Sequence, residues 1–261
     1  MINGWTILHL PKRVEREAMS LANAERLGVP DKIIRFWDAI DAADFKDADE
    51  IREAAVADGF PEFRKSYGSK DSLLGRHCQI WNICRYLRDL ANRDSIEMFI
   101  HDGMMIGCLG VGSEYYIDFQ WLCEAVELAT AASIERNTVF KLLILGHQNE
   151  GEPIDLIYPT SVITYGIRSN ANSIRVYSSE GAGNVLHRIL EDEFCYRNSS
   201  PDHVFFEKTD KRNHILWQLD GAFTVIISNA FDMPRHLLGS DSVNWESHQG
   251  VYADLFKEMR L

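Results

Sequence analysis

The chain has 261 residues, of which 46% are apolar, so it is long enough to bury the core of one large domain without disulfide or metal staples. Its formal net charge is −12, and its isoelectric point is about 5.2. A strongly acidic surface repels phosphate backbones and anionic lipids, which disfavours nucleic acid and membrane surfaces as general partners.

The cysteines and the N-terminal residues bear on the cellular compartment. Five cysteines occur without C-x-x-C spacing, which indicates neither a disulfide framework nor a structural zinc site. The apolar run at the N-terminus precedes the basic pair Lys12-Arg13, the reverse of a secretory signal, and no uncharged apolar stretch reaches about 18 residues. We therefore expect a cytoplasmic protein with no transmembrane segment.

The N-terminal segment predicts a β-α-β unit. Residues 4–10 form an apolar, β-branched run that ends at Pro11, which is typical of a buried strand. Residues 13–27 have the pattern of an amphipathic helix followed by helix breakers, and residues 32–40 predict a second strand. This order favours parallel strands joined by a right-handed crossover, and so an α/β fold.

The rest of the chain continues the alternation of helices and strands. In chain order it predicts a helix at 44–58, a polar loop at 60–70, a long helix at 73–92, a strand at 96–100, a helix at 119–135, strands at 139–145, 162–166 and 174–178, a helix at 181–194, a helical turn at 201–208 and a strand at 222–228. The single domain spans residues 1–231, and the polar residues 232–261 are interpreted as a tail that covers or flanks a site.

Charged residues cluster where three of these strands end. The first strand leads into Lys12 and Arg13, the second into Asp38 and Asp41, and the central one into Asp102. Ligands bind outside the carboxyl ends of strands in open parallel sheets, so we expect these residues to share one rim. A nucleotide diphosphate needs such a rim, with cations for its phosphates and carboxylates for a bridging divalent metal.

Each of these charged groups also has a purely structural interpretation. Lys12 and Arg13 can be solvated surface residues, although cations at the start of a helix oppose the helix dipole. Asp38 and Asp41 can serve only as turn and cap residues.

The long helix and the central strand raise the same question. His77 and Trp81 lie four residues apart and so share one helix face, which favours packing over ligand binding. Asp102 directly follows an apolar strand and precedes a glycine, and a carboxylate in that position favours a functional role.

Five segments carry a family resemblance. They are ILHLPKRVERE (7–17), WDAIDA (37–42), SLLGRHCQIWNIC (72–84), MFIHDGMMI (98–106) and SPDHVFF (200–206). In this order they resemble glycosyltransferase family 25, the lipooligosaccharide and procollagen galactosyltransferases. The fourth segment departs from the family's acidic metal motif, since His101, Asp102 and Gly103 leave one carboxylate there.

The resemblance implies a GT-A-like fold, a single α/β domain with a mixed, mainly parallel, nucleotide-binding sheet flanked by helices. It also implies a hexosyltransferase that moves a sugar from a nucleotide diphosphate sugar, UDP-linked in the family, to a hydroxyl of a saccharide or glycoconjugate acceptor. The reaction would invert the anomeric centre, and Mn²⁺ or Mg²⁺ would bridge the donor diphosphate. The incomplete acidic motif is equally compatible with a metal-independent site.

The expected roles of individual residues follow from this resemblance. Donor binding is assigned to Leu10, Lys12, Arg13, Asp38, Asp41, Gly75, His77 and Trp81. His101 and Asp102 are expected to hold the metal, and Asp202 is the candidate base that deprotonates the acceptor hydroxyl.

Other functions fit the same residues. Loss of the full acidic motif invites a degenerate, non-catalytic nucleotide-sugar-binding or interaction protein. A glycosyltransferase that acts on a modified nucleobase in DNA would keep the chemistry and change the acceptor, but the acidic charge argues against it. A metal-dependent hydrolase needs more clustered His and Asp ligands than the sequence shows.

Overall fold

The protein, represented by a computed structural model, is an α/β fold in which helices cover a mixed sheet. The structure describes residues 1–61, 72–103, 105–106, 118–146, 149–158, 161–169, 174–191, 221–227 and 231–232. The α/β class predicted from the sequence is therefore confirmed. No helix within these ranges is both long and apolar enough to cross a membrane.

The N-terminal β-α-β unit forms as predicted. Strand β1 (Gly4–His9) is followed by helix α1 (Val14–Arg26) and strand β2 (Ile34–Asp38), and β1 and β2 pair in parallel. Strand β3 (Ile96–His101) pairs in parallel with the other side of β1. The first three strands therefore end at the same edge of the sheet, which is the edge that should carry the site.

The remaining elements complete an eight-stranded sheet with the order β2-β1-β3-β8-β5-β9-β7-β6. The further strands are β4 (Met105–Ile106), β5 (Leu142–Gly146), β6 (Asn149–Tyr158), β7 (Ser161–Ser169), β8 (Ile174–Ser178), β9 (Ala222–Ile227) and β10 (Phe231–Asp232). The further helices are α2 (Ala48–Ala57), α3 (Ser72–Ala91), α4 (Phe119–Glu135) and α5 (Ser179–Glu191). Strands β4 and β10 pair with each other in a separate two-stranded sheet.

The sheet is mixed, but it is not mainly parallel as the resemblance implied. Among the described strands of the large sheet, three pairings are parallel and four are antiparallel. The antiparallel pairings arise because β8 runs against both β3 and β5, and because β7 runs against both β9 and its hairpin partner β6. Strands β5, β9 and β6 still run in the same direction as β1, so the carboxyl ends of six strands share one edge.

Two apolar cores lie on the two faces of the sheet. Side chains alternate along β1, so that Trp5 and Ile7 join the core beneath α4, whereas Leu8 joins the core beneath α3. Helix α4 presents Trp121 and Leu122 to the first core, and α3 presents further apolar residues to the second. Both faces are thus covered over β1, β3, β5, β8 and β9.

Several predicted segments fall wholly or mainly outside the described residues. They are most of the polar loop at 60–70, the helical turn at 201–208 and the tail at 232–261 apart from its first residue. That residue, Asp232, belongs to β10 and pairs with Met105 of β4. The domain boundary at residue 231 stays a prediction.

Candidate functional site

The carboxyl edge of the first three strands brings two of the predicted site residues into contact. Lys12, which follows β1, forms an ion pair with Asp41, which follows β2. The lysine side chain is half exposed, so the pair lies at the surface of the edge. Arg13 lies beside Lys12 and forms an ion pair with Glu15, with 3.6 Å between Nη1 and Oε1. Lys12, Arg13 and Asp41 of the expected rim therefore lie at this edge, and each of them is in an ion pair.

Asp41 is held by local structure as well as by Lys12. Its carboxylate accepts a hydrogen bond of 3.0 Å from the backbone N–H of Ala43, which makes it the cap of a short 3₁₀ turn. Burial works to raise the pKa of Asp41, but the hydrogen bonds from Lys12 and Ala43 outweigh burial, and the pKa is lowered. Asp38 ends β2 in register with His9 and is exposed.

Asp102 lies at the centre of a buried polar cluster. Its exposed fraction is 7%, and its Oδ2 accepts a hydrogen bond of 3.1 Å from the backbone N–H of Leu10. The same oxygen lies 3.5 Å from Nδ1 of His9, and Oδ1 lies 3.6 Å from Nη1 of Arg16. Burial raises the pKa of Asp102, and Leu10, Arg16 and His9 oppose this rise without cancelling it. Both carboxylate oxygens thus face groups of the protein itself: the Leu10 N–H, the His9 ring and the Arg16 guanidinium.

The turn after β3 packs against α1 and keeps Asp102 in this position. Gly103 has a φ of +72°, a conformation that side chains other than glycine rarely adopt. Its N–H donates a hydrogen bond of 3.2 Å to Oγ of Ser20, and a Cβ at this position would lie 3.5 Å from atoms of Arg16 and Met19. The His-Asp-Gly sequence therefore directs the aspartate toward α1.

His101 and Asp102 do not fit a shared divalent cation in this arrangement. The ring of His101 meets the ring of Phe99 edge-on at 5.5 Å, and Phe99 in turn stacks on Tyr86 of α3. Asp102 faces α1 on the other side of the sheet. A cation at the carboxylate would also meet the guanidinium of Arg16. No cluster of three or more potential ligands occurs within the described ranges.

The predicted donor-pocket residues of α3 divide into two groups. Trp81 contacts α2 and the loop after β2, since its indole N–H donates a hydrogen bond of 2.8 Å to Asp58 at the end of α2 and its ring packs on Phe45. Gly75 is half-buried and His77 is buried, near the start of the helix. Burial, together with the charges of Asp41 and Asp44, raises the pKa of the adjacent Cys78 to about 12, so this part of α3 lies beside the Asp41 loop.

A positioning residue at this edge was missed in the sequence. Asn82 of α3 is 3% exposed, and its side-chain amide makes two hydrogen bonds to the backbone of Ile40, accepting at 2.8 Å and donating at 3.1 Å. These bonds fix the segment that precedes Asp41. The sequence signal for this role was an asparagine among the apolar residues of a buried helix face, because a buried amide needs hydrogen-bond partners from another element.

The other catalytic candidate, Asp202, lies outside the described residues, so its position relative to the rim is still a prediction. Comparison with known proteins does not assign the chain to a family. No model of a protein family matches the sequence, and no curated protein matches it significantly. The resemblance to glycosyltransferase family 25 therefore rests on the five sequence segments alone.

Proposed function

We propose that the protein is a glycosyltransferase that transfers a sugar, as a hexosyltransferase, from a nucleotide diphosphate sugar to an acceptor hydroxyl. The observation that carries this proposal is the basic turn at residues 10–13, which is fixed at the edge shared by the carboxyl ends of β1, β2 and β3. Anionic ligands of α/β sheets bind at such an edge. A cytoplasmic location fits the cysteine pattern.

The chemistry asks two things of the protein. The bond between the anomeric carbon and the diphosphate oxygen breaks, and the leaving diphosphate takes the electron pair. Lys12 and Arg13, which are partly exposed, supply positive charge for that leaving group. The acceptor oxygen bonds to the anomeric carbon, and its proton passes to a carboxylate, for which Asp202 is the candidate. UDP is the expected nucleotide, and a saccharide or glycoconjugate is the expected acceptor.

No step of this proposal passes through a metal ion. Mn²⁺ or Mg²⁺ would supply further positive charge to the diphosphate, but the carboxylate expected to hold it faces Leu10, His9 and Arg16 instead. The donor-binding turn does not depend on that carboxylate as a ligand. Metal dependence is therefore measured directly, by comparing binding in EDTA with binding in Mn²⁺.

A second candidate is a non-catalytic nucleotide-sugar-binding protein. It is favoured by the same observation, because Asp102 is occupied by contacts within the protein. This candidate binds nucleotide without turnover. The alternative acceptor, a modified nucleobase in DNA, is disfavoured by the net charge of −12.

The test combines nucleotide binding with turnover. Thermal unfolding is followed with UDP, ADP, GDP and CDP, each in EDTA and in Mn²⁺, since a ligand that binds only the native state raises the melting temperature. We expect a rise with UDP that is lost in Lys12→Ala. The matched control is Lys32→Ala, which removes an exposed lysine at the opposite end of β2 and should keep the rise.

Turnover separates the two candidates. Release of UDP from UDP-hexoses is measured with a panel of saccharide acceptors. Binding followed by release supports the transferase, whereas binding without release with any acceptor supports the non-catalytic protein. Absence of any nucleotide-dependent shift would refute both.

A further inference from the structure

The turn that joins β1 to α1 is short and is held at two points. Within the turn, the N–H of Arg13 donates a hydrogen bond of 2.8 Å to the carbonyl of Leu10. Outside it, the backbone of the turn is fixed by Asp102, which is about ninety residues away in the chain and directly follows the neighbouring strand β3. The position of Lys12 and Arg13 therefore depends on a side chain of another element.

Asp102 extends the pairing of β1 and β3 beyond the last backbone pair. Leu8 is paired with His101, and the N–H of Asp102 donates a hydrogen bond of 2.8 Å to the carbonyl of Leu8. The following donor on β1 in a parallel ladder is the N–H of Leu10, and it is accepted by the Asp102 carboxylate at 3.1 Å. A hydrogen bond to an ionised acceptor is among the stronger kinds in proteins.

The second contact fixes the start of α1. Arg16 lies in the first turn of the helix and is 8% exposed, so its guanidinium is buried at the positive end of the helix dipole. The carboxylate of Asp102 lies 3.6 Å from that guanidinium and offsets its unfavourable position. Leu10 and Arg16 stand on either side of Lys12 and Arg13, so one carboxylate holds both ends of the basic turn.

We infer that Asp102 is a positioning residue, which fixes the turn from Leu10 to Arg13 through Leu10 and Arg16, and that the turn binds the diphosphate without a metal ion on Asp102. The ligand named here rests on the proposed function, whereas the fixing of the turn does not. Asp102 touches neither the diphosphate nor the transferred sugar and acts through the turn.

Two substitutions separate this role from metal binding. Asp102→Asn keeps an oxygen that can accept the Leu10 N–H but loses the negative charge, which a metal ligand needs and which faces Arg16. Asp102→Ala loses both. The control is Glu25→Gln, which removes one exposed carboxylate from the same helix, α1, away from the turn.

The first readout is the UDP dissociation constant, measured by calorimetry in EDTA and in Mn²⁺. In EDTA, Asp102→Ala should weaken binding about tenfold or more, the factor expected for a lost hydrogen bond to a charged group, and Asp102→Asn should stay within about threefold of the wild type. The ratio of the constants in EDTA and in Mn²⁺ should be the same for Asp102→Asn and the wild type. If Mn²⁺ strengthens UDP binding by the wild type but not by Asp102→Asn, while binding in EDTA is the same for both, then Asp102 is a metal ligand and the inference is overturned.

The second readout needs no ligand. Amide hydrogen exchange at Leu10, Arg13 and Arg16 should become about tenfold faster in Asp102→Ala, while exchange in α3 stays unchanged. In Asp102→Asn, exchange should stay close to wild type at Leu10, whose N–H keeps an acceptor, and become faster at Arg16, whose guanidinium loses its ionised partner. Unchanged exchange in Asp102→Ala would refute the positioning role. If UDP fails to bind the wild type but exchange responds as expected, the proposed function fails and the positioning role stands. Should Asp102→Ala not fold, Asp102→Asn decides the question: faster exchange at Arg16 supports the positioning role, and unchanged exchange there refutes it.

Discussion

Replacing Asn82 by alanine tests how the loop after β2 is held. The side-chain amide of Asn82 accepts a hydrogen bond from the N–H of Ile40 and donates one to its carbonyl, and the residue is 3% exposed. Alanine removes both bonds and leaves the two backbone groups of Ile40 without these partners. The loop carries Asp41, so the ion pair with Lys12 should loosen at the same time.

The expected loss follows from those two bonds. A neutral intramolecular hydrogen bond contributes about 0.5–1.5 kcal/mol, and a buried group left without its partner costs about 1–3 kcal/mol. Ile40 is half-buried, so water reaches it only in part. Asn82→Ala should therefore lower the free energy of unfolding by about 2–3 kcal/mol.

Urea denaturation gives this difference, with the slope of the transition checked for a change of mechanism. The control is Asn92→Ala, which removes the same amide from an exposed asparagine just beyond α3, where it donates one hydrogen bond of 2.7 Å to the carbonyl of Arg88. This control should cost less than about 0.5 kcal/mol. If Asn82→Ala costs no more than Asn92→Ala, Asn82 does not hold the loop.

Two further predictions concern other parts of the fold. Gly4→Ala should lower the free energy of unfolding by about 1–3 kcal/mol, because the new Cβ would lie 2.6 Å from Cγ of the buried Glu97. An unchanged urea midpoint would contradict this prediction and show that Glu97 can move aside without destabilising the fold. Burial works to raise the pKa of Asp58, but Arg88 and Trp81 outweigh it and lower the pKa below the ordinary 3.8. The stabilisation by Asp58 is therefore present above that pH and is lost as the pH falls through the lowered pKa. Urea titrations should show Asp58→Asn less stable than wild type at pH 7 and the gap closing in strong acid, and a gap that does not change with pH would contradict the ion pair.

The sequence predicts most reliably those elements whose pattern is regular and whose ends are marked. Helix α4 spans Phe119–Glu135 as expected, and the carboxylate of Asp118 accepts a hydrogen bond of 2.8 Å from the N–H of Trp121. Strand β6 was missed, because its ten residues include two glutamates, a glycine and a proline. Its pairing with β7 contains three register shifts, which break the alternation that reveals a strand.

The site was predictable only as far as the ends of the strands. The rule for parallel strands brings Lys12, Asp41 and Asp102 to one edge, and the structure has them there. It does not say which face a residue at the end of a strand occupies. The face that Asp102 occupies depends on Gly103, whose positive φ directs Asp102 to α1, and on the contact between Asp102 and Arg16 of α1. Such contacts depend on tertiary packing and leave no periodic signal.

The two loops at the rim share an arrangement that bears on ligand binding. Each backbone is fixed by a side chain of another element, the β1 turn by Asp102 of β3 and the β2 loop by Asn82 of α3. The side chains that meet between the loops, Lys12 and Asp41, form a partly exposed ion pair, and such pairs contribute about 0–1 kcal/mol. An anion that replaces Asp41 beside Lys12 therefore gives up little attraction and need not reorganise the backbone. A preorganised turn whose lysine can exchange one anionic partner for another is what the proposed diphosphate site requires.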